Sequence, residues 1–222
     1  MDTPRFTPLS GFRRYPEDEM LRRAADFAAS LRRRRTIRQF TDQPVPRAVI
    51  DACLDAAASA PSGANMQPWH FVVVSSLAVK KQIRAAAEKE ERAFYGGRAP
   101  EEWLVALAPL GTDDVKPYLE TAPYLIVVFA QPYCVKPDGR QSKHYYAAES
   151  VGIATGVLVT ALHEAGLASL IHTPSPMGFL TELLQRPVHE RPFVIVVAGY
   201  PADDARVPEI TKKPLTDIIS YL

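Results

Sequence analysis

The segment 145–165 limits the possible folds of this chain more than any other stretch. Apolar residues occupy nearly every face of a helix drawn through it, so the helix must be buried on most sides. Gly152, Ala154 and Gly156 allow a second helix to approach closely, which is compatible with a subunit interface. The rest of the chain therefore has to surround this helix, alone or with a second copy.

The 222 residues, 47% of them hydrophobic and 23% charged, suit a single domain with a full-sized core. We predict one α+β domain over residues 1–222, with an extended arm at 1–15 and a C-terminal arm at 206–222. No regular structure is expected at 96–114, and an exposed loop is expected at 131–143. Hydrophobic periodicity and β-branched content predict helices at 17–35, 46–58, 78–94, 145–165 and 179–184, and strands at 70–74, 124–130, 168–171 and 193–198.

The net charge is +1, from 26 basic and 25 acidic residues. This balance provides no broad field for nucleic acid or an anionic membrane, so neither is expected as a partner. Cys53 and Cys134 have no metal-ligand spacing and are interpreted as free thiols in a reducing compartment. No signal peptide or run near the ~20 apolar residues of a membrane span is visible. The sequence therefore predicts a cytoplasmic protein.

Two neighbouring stretches are suited to an anionic cofactor. Arginines crowd residues 32–38, RRRRTIR, and a guanidinium is a planar, permanently charged partner for phosphate or carboxylate. The loop at 60–65, APSGAN, is rich in small residues whose backbone N–H groups can come close to a ligand. Taken singly, the arginines fit the end of a helix and the loop fits a helix–strand connection. No catalytic triad or metal motif accompanies them, so any chemistry needs an organic cofactor.

The order of these pieces resembles a known family. RRTIR at 34–38, VP before a helix at 45–46 and APSGANMQPWHF at 60–71 resemble the nitroreductase-like FMN flavoproteins. Within that family they resemble the iodotyrosine deiodinase branch, and the likeness extends over about residues 30–215. The resemblance implies FMN, a nitroreductase-like fold with a central, mostly antiparallel sheet flanked by helices, and an intertwined homodimer with shared active sites.

The resemblance also assigns cofactor contacts. The arginines would reach the flavin's phosphate and pyrimidine edge, and Ser62 would come from the other subunit. Thr173 is the predicted catalytic residue, with its hydroxyl on flavin N5, where a donor favours single-electron steps. Lys212 stands where the family has an arginine, so it keeps the charge but loses the bidentate fork. The predicted FMN contacts are Arg34, Arg35, Thr36, Arg38, Ser62, Ile171, His172, Thr173 and Lys212.

A second implied set would bind substrate. Glu91 and Tyr95 are four residues apart, hence on one helix face. By the resemblance, Glu91 takes an α-ammonium, Lys116 an α-carboxylate, and Tyr95 bonds and covers the ligand. The backbone N–H of Ala64 would hold a phenolate. Read individually, Glu91 and Lys116 fit ordinary surface charges.

Three functions follow from these patterns. The first is FMN-dependent reductive dehalogenation of halotyrosines (iodo-, bromo- or chlorotyrosine) to tyrosine and halide, with electrons from NAD(P)H or a reductase. The second is a general NAD(P)H-dependent nitroreductase or quinone reductase, in which Glu91, Tyr95 and Lys116 are only surface groups. The third is a non-catalytic module that uses the arginines to bind nucleic acid or a phosphorylated partner, which the near-neutral charge argues against.

Overall fold

The computed structural model describes residues 3–222. The chain divides into two compact units between Arg34 and Arg35. The first unit contains helix α1, Glu17–Arg33, preceded by residues without helix or strand. Acidic residues fill the first turn of α1 and arginines its last turn, which is the order favoured by the helix dipole. No helix of the described residues is long and apolar enough to cross a membrane.

The second unit alternates helices with short strands. Pro46 directly precedes the first of its helices, where its fixed φ and missing N–H cause no loss. Helices of the second unit are α2 Arg47–Ala58, α3 Leu77–Ala93, α4 Glu101–Leu107, α5 Tyr118–Thr121, α6 Ala147–Glu164 and α7 Phe179–Leu183. Its strands are β1 Trp69–Val74, β2 Tyr124–Ala130, β3 Tyr133–Val135, β4 Gln141–Lys143, β5 Ala168–His172 and β6 Arg191–Gly199.

Four strands form the main sheet, in the order β1–β2–β6–β5, and every neighbouring pair is antiparallel. The central strands β2 and β6 are almost fully buried because helices cover both faces. The strands β1 and β5 form opposite edges. This arrangement confirms the predicted α+β fold with a mostly antiparallel sheet flanked by helices.

Alternate residues of β2 point into two different cores, as the two-residue period of a strand requires. Leu125, Val127 and Phe129 lie in one core with residues of α3, α5 and α7. Ile126 and Val128 lie in the other core with residues of α2 and α6. Helix α3 and the short helix α5 therefore pack on the same face of the sheet, in the core that also contains Leu170 of β5.

Two regions contain regular structure where none was predicted. Residues 96–114 include α4, which begins after Pro100 with Glu101 and Glu102 in its first turn. Residues 131–143 form a hairpin of β3 and β4 rather than a loop. Both elements are short, and their apolar residues do not make a full helical or strand period, so the periodic signal was too weak.

Apolar surfaces of α6 and of the C-terminal segment remain exposed in the single chain. Helix α6 buries one side, but Gly152, Ile153 and Gly156 are exposed, although burial on most sides was expected. Ile218 and Leu222 are also exposed, so the C-terminal segment keeps its apolar end in solvent. The predicted packing of both surfaces needs something beyond the chain itself.

Candidate active site

A cavity of about 430 Å³ opens between the C-terminal part of α3, residues 94–112 and the end of β5. Its volume is in the range of small-molecule sites. Seven of the predicted site residues contribute to its wall, together with apolar and aromatic side chains of residues 94–107. The predicted residues are Arg38, Glu91, Tyr95, Lys116, Ile171, His172 and Thr173.

Glu91 and Lys116 form an ion pair at the cavity. Lys116 Nζ lies 3.3 Å from Glu91 Oε2, and the two side chains are only 4% and 12% exposed, respectively. Lys116 Nζ also donates to the Thr112 hydroxyl at 3.2 Å and to the Asp113 carbonyl. Burial raises the pKa of Glu91 above its ordinary value, although Lys116 opposes this. Neither residue is the solvated surface charge that each resembles when read alone.

Tyr95 lies above this ion pair. Its hydroxyl is 3.0 Å from the Thr112 hydroxyl, and Lys116 Nζ lies 5.5 Å from the centre of its ring. The ring packs edge-on against Phe94, which in turn contacts Trp103. Residues four apart on α3 and the segment that follows thus bring a carboxylate, a phenol and an ammonium to one place.

Lys116 is positioned by α3. Its backbone N–H donates to Glu88 Oε1 at 2.8 Å, and Glu88 is held in turn by Arg84 at 2.8 Å. These hydrogen bonds lower the pKa of Glu88, although burial opposes them. One helical turn separates Glu88 from Glu91, so α3 fixes both the backbone of Lys116 and the partner of its ammonium.

Arg98 connects residues 94–112 to the loop after β5. Its guanidinium bonds the Glu90 carboxylate at 2.9 Å and the Glu90 carbonyl at 3.0 Å, and it also donates to the carbonyl of Ser175. Gly97, with φ of +132°, supplies the backbone conformation that lets the chain turn here. Arg98 therefore fastens the part of the chain that covers the cavity.

The far wall of the cavity comes from β5. His172 is the last residue of β5 and is 6% exposed, and its Nδ1 lies 3.3 Å from the Tyr118 hydroxyl. Burial, together with the charges of Lys116 and Arg38, lowers the pKa of His172 to about 3. Burial also raises the pKa of the Tyr118 phenol. Both groups are therefore neutral near pH 7.

Two of the predicted cofactor residues, Thr36 and Arg38, lie at or beside this wall. Thr36 pairs with Ser169 of β5 as an isolated bridge, and Ile37 N–H donates to the Ser169 carbonyl at 3.3 Å. This backbone pairing carries Arg38 into the cavity wall. Among residues 3–222 no carboxylate pairs with the Arg38 guanidinium, so its charge is available to an anion.

Other predicted residues lie elsewhere. Arg34 belongs to the first unit. The Arg35 guanidinium donates to the Pro208 carbonyl, which ties it to the C-terminal segment. Lys212 is exposed four residues further along that segment. None of these three contributes to the cavity wall.

The small-residue loop is also outside the cavity wall. The Ser62 hydroxyl accepts from the Gln67 N–H at 2.9 Å, and Ala64 is exposed with a φ of +50°. Gly63 packs so tightly that an added Cβ would lie 2.7 Å from the Tyr145 carbonyl oxygen. The loop precedes β1, at the sheet edge opposite to β5.

Three residues of the site were not singled out from the sequence. Thr112 joins Tyr95 to Lys116, Tyr118 bonds His172, and Arg98 fastens the cavity cover. Tyr118 lies two residues after Lys116, but nothing in the local pattern distinguishes a tyrosine in a cavity from one in a core. Their roles depend on contacts between distant parts of the chain.

Comparison with known proteins agrees with this geometry. The model of the Nitroreductase family matches residues 31–200. A protein of Haliscomenobacter hydrossis named iodotyrosine deiodinase is 53% identical over 210 residues, which cover 95% of this chain and 94% of that protein. Human iodotyrosine deiodinase 1 is 42% identical over 206 residues, covering 92% of this chain and 71% of the human protein.

Solved structures give the same result. The crystal structure of oxidized iodotyrosine deiodinase bound to FMN and 3-iodo-L-tyrosine superposes with a TM-score of 0.75 at 32% identity, covering 88% of this chain and 98% of that one. A nitroreductase of Bacteroides fragilis with bound FMN shares the fold, with a TM-score of 0.66 at 22% identity. The extent of the family match and the identity of the relatives show that this chain belongs to the nitroreductase family.

Proposed function

We propose that this protein is an FMN-dependent oxidoreductase that removes the ring halogen of halotyrosines, giving tyrosine and halide. The observation that carries the proposal is the joint placement of Glu91, Tyr95 and Lys116 in one cavity that also contains Arg38 and Thr173. The similarity to iodotyrosine deiodinases over nearly the whole chain supports it.

The charges of the cavity match an amino acid. Glu91 and Lys116 pair with each other at 3.3 Å, and a zwitterion carries the same two charges. It can enter between them, with its ammonium on Glu91 and its carboxylate on Lys116, and leave no buried charge unpaired. The Tyr95 hydroxyl, now 3.0 Å from Thr112, can bond the same carboxylate. A substrate without an amino-acid end would gain nothing from this arrangement.

The residues present fit FMN, which supplies the two electrons of the reaction in single steps when bound. The Arg38 guanidinium, with which no carboxylate of residues 3–222 pairs, suits an anionic edge of the flavin. Thr173 is exposed and belongs to the same cavity wall. We assign Arg35, Thr36, Ile171, Lys212 and the backbone of His172 to the same cofactor site. Thr173 is the proposed catalytic residue, as a hydrogen-bond donor to the cofactor.

The reaction itself needs two electrons and one proton, because the carbon–halogen bond breaks, the ring carbon gains hydrogen and halide leaves. The protein positions the substrate by binding both its amino-acid end and its phenolate oxygen. Glu91 and Lys116 hold the amino-acid end, and the backbone N–H of Ala64 is the proposed donor to the phenolate. We propose NAD(P)H, directly or through a reductase, as the electron source, and the cytoplasm as the location.

The position of the small-residue loop favours a homodimer. Ser62 and Ala64 lie near the edge strand β1, whereas the cavity lies at the end of the other edge strand, β5. Three strand spacings, roughly 14 Å, separate those edges. A partner subunit could bring its loop to the cavity and cover the exposed face of α6. Sedimentation of the FMN-loaded protein should give a mass twice that of the 24.5 kDa chain, and a fully active monomer would refute this assembly.

The decisive experiment compares 3-iodotyrosine with 2-iodophenol, which lacks the amino-acid end. Quenching of bound-flavin fluorescence should show tight binding of iodotyrosine and measurable but far weaker binding of 2-iodophenol. Anaerobic turnover with reduced protein should release iodide from iodotyrosine. In the Glu91→Gln variant, affinity for iodotyrosine should fall about 100-fold, because the substrate ammonium would be left in the cavity without its counter-charge. Affinity for FMN should stay within about twofold.

Glu101→Gln is the matched control, because it makes the same substitution at an exposed residue of α4 outside the cavity wall. It should bind both ligands as the wild type does. Equal affinity of the wild type for iodotyrosine and iodophenol would show that the cavity does not recognise the amino-acid end of the substrate. Unchanged iodotyrosine binding in Glu91→Gln would point to a general nitroreductase or quinone reductase instead.

A further inference from the structure

The inner wall of the cavity contains a polar atom that the proposed contacts leave unused. His172 Nε2 is buried and, among the described residues, has no hydrogen-bond partner. It faces the cavity, and its nearest carboxylate oxygen is Glu91 Oε1, 4.0 Å away. A buried polar nitrogen without a partner is unfavourable, so a partner at some stage of the protein's cycle is expected.

The groups on the two sides of the imidazole favour one position for its proton. The Tyr118 hydroxyl lies 3.3 Å from Nδ1 and can donate to it, whereas the Glu91 carboxylate beside Nε2 can only accept. The rings meet at 79° with centres 5.7 Å apart, which restricts rotation of the imidazole. The proton of the neutral imidazole is then on Nε2, directed towards Glu91.

Substrate binding would change the partners of Glu91. In the described structure Lys116 neutralises its carboxylate at 3.3 Å. A zwitterionic substrate draws the Lys116 ammonium to its own carboxylate and brings only its ammonium to Glu91. One oxygen of Glu91 then loses its donor inside a site where burial already disfavours the charged form. The His172 N–H, with Nε2 4.0 Å from Glu91 Oε1, can replace that donor after a small movement.

We propose that His172, oriented by Tyr118, donates from Nε2 to Glu91 when substrate is bound, and so holds the Glu91 carboxylate charged and facing the substrate ammonium. His172 is thus a positioning residue for amino-acid recognition, in addition to any contact of its backbone with the cofactor. This inference rests on the proposed function, since it assigns a further residue to the same site.

The binding test uses His172→Phe, which keeps a ring and removes both nitrogens. In the FMN-loaded protein, affinity for 3-iodotyrosine should fall about tenfold, the usual effect of one hydrogen bond to a charged group. Affinity for FMN should change by less than about twofold, because the substitution keeps the backbone of residue 172, through which it would contact the cofactor. His172→Gln, which restores an amide N–H donor, should recover part of the loss.

Leu170→Val is the matched packing control, because Leu170 lies on the same face of β5, is buried and contributes to the same cavity wall without a polar atom. It should weaken 3-iodotyrosine and 2-iodophenol to the same extent. Equal losses for the two ligands in His172→Phe, or none for iodotyrosine, would overturn the positioning role.

A second measurement does not depend on the substrate or on any variant. The ¹⁵N chemical shifts of the histidine side chain in the wild-type holoprotein should show His172 neutral at pH 7, with the proton on Nε2 and none on Nδ1. A proton on Nδ1, or a cationic ring, would refute the inference even if halotyrosine is the substrate. A wild type that binds no iodotyrosine would refute the proposed function and this role together, whatever the tautomer.

Discussion

Two carboxylates in the interior of the second unit, Glu190 and Glu91, differ in how completely they are satisfied. Glu190 is 3% exposed and accepts two hydrogen bonds from Arg186, at 2.7 and 3.0 Å, and one from Gln131 at 3.1 Å. Burial alone would raise its pKa, but these donors outweigh burial and lower the pKa of Glu190.

Glu91 has one cation, Lys116 at 3.3 Å, and a histidine nitrogen 4.0 Å away. Here burial outweighs the partner and the pKa is raised. Glu190 thus has its hydrogen bonds satisfied within the protein, whereas Glu91, at the cavity, keeps unused acceptor capacity. A buried carboxylate with unsatisfied acceptor capacity can bind a ligand that supplies the missing donor. A carboxylate whose hydrogen bonds are all made within the protein cannot.

Glu190→Gln tests the structural half of this comparison and should have the largest effect on stability. It leaves Arg186 without its counter-charge next to a buried amide. The free energy of unfolding should fall by about 2 kcal/mol, below the range for fully buried pairs, because the Arg186 side chain is 25% exposed. Urea denaturation followed by circular dichroism measures this loss.

Glu91→Gln is the paired variant, since Lys116 keeps its bonds to Thr112 and Asp113 when the carboxylate is gone. Its free energy of unfolding should change less than that of Glu190→Gln, while its loss of iodotyrosine binding is larger. A larger change of the unfolding free energy in Glu91→Gln than in Glu190→Gln would contradict the distinction between the fully hydrogen-bonded Glu190 and the incompletely bonded Glu91.

The contributions of Glu190 and Glu91 to the free energy of unfolding should change with pH in opposite directions. The folded pKa of Glu190 is lowered, so its contribution is fully present above the ordinary value of 4.5 and is lost as the pH falls through the folded value. The gap in unfolding free energy between wild type and Glu190→Gln should therefore shrink below about pH 4.5.

For Glu91 the folded pKa lies above 4.5, so its charged form opposes folding at neutral pH and this effect is relieved as the pH falls through the folded value. Relative to Glu91→Gln, the wild type should therefore gain stability as the pH falls from 7 towards 4.5. Denaturation curves of both pairs at a series of pH values give these slopes. Slopes of the same sign would mean that the two environments do not differ as described.

The sequence predicted the fold because its signals are local and repeated. The strand 124–130 is a run of β-branched and aromatic residues, and the structure has β2 over those seven residues. Helix α3 follows from apolar positions at helical spacing. The hairpin of β3 and β4 was missed because three polar residues in β4 carry no alternation, and α4 was missed because it is only seven residues long.

The cavity was predicted less completely, because its defining contacts join distant positions. Glu91 and Tyr95 could be placed on one helix face by their spacing, but the pairing of Glu91 with Lys116 depends on how residues 94–112 fold back. The roles of Tyr118 and Thr112 have no local signature at all. Sequence patterns report periodicity along the chain, whereas the number of donors around a carboxylate is a property of the packed structure.

Glu19 is a third carboxylate and should show the smallest effect. It lies between Arg22 at 2.8 Å and Arg23 at 2.6 Å in α1, and both arginines are more than half exposed. Their hydrogen bonds lower the pKa of Glu19 as those of Arg186 lower that of Glu190. In water the same bonds replace equally good ones to solvent, so Glu19→Gln should leave the urea midpoint unchanged. A loss comparable to that of Glu190→Gln would show that the number of charged partners, rather than burial, determines which carboxylates stabilise this protein.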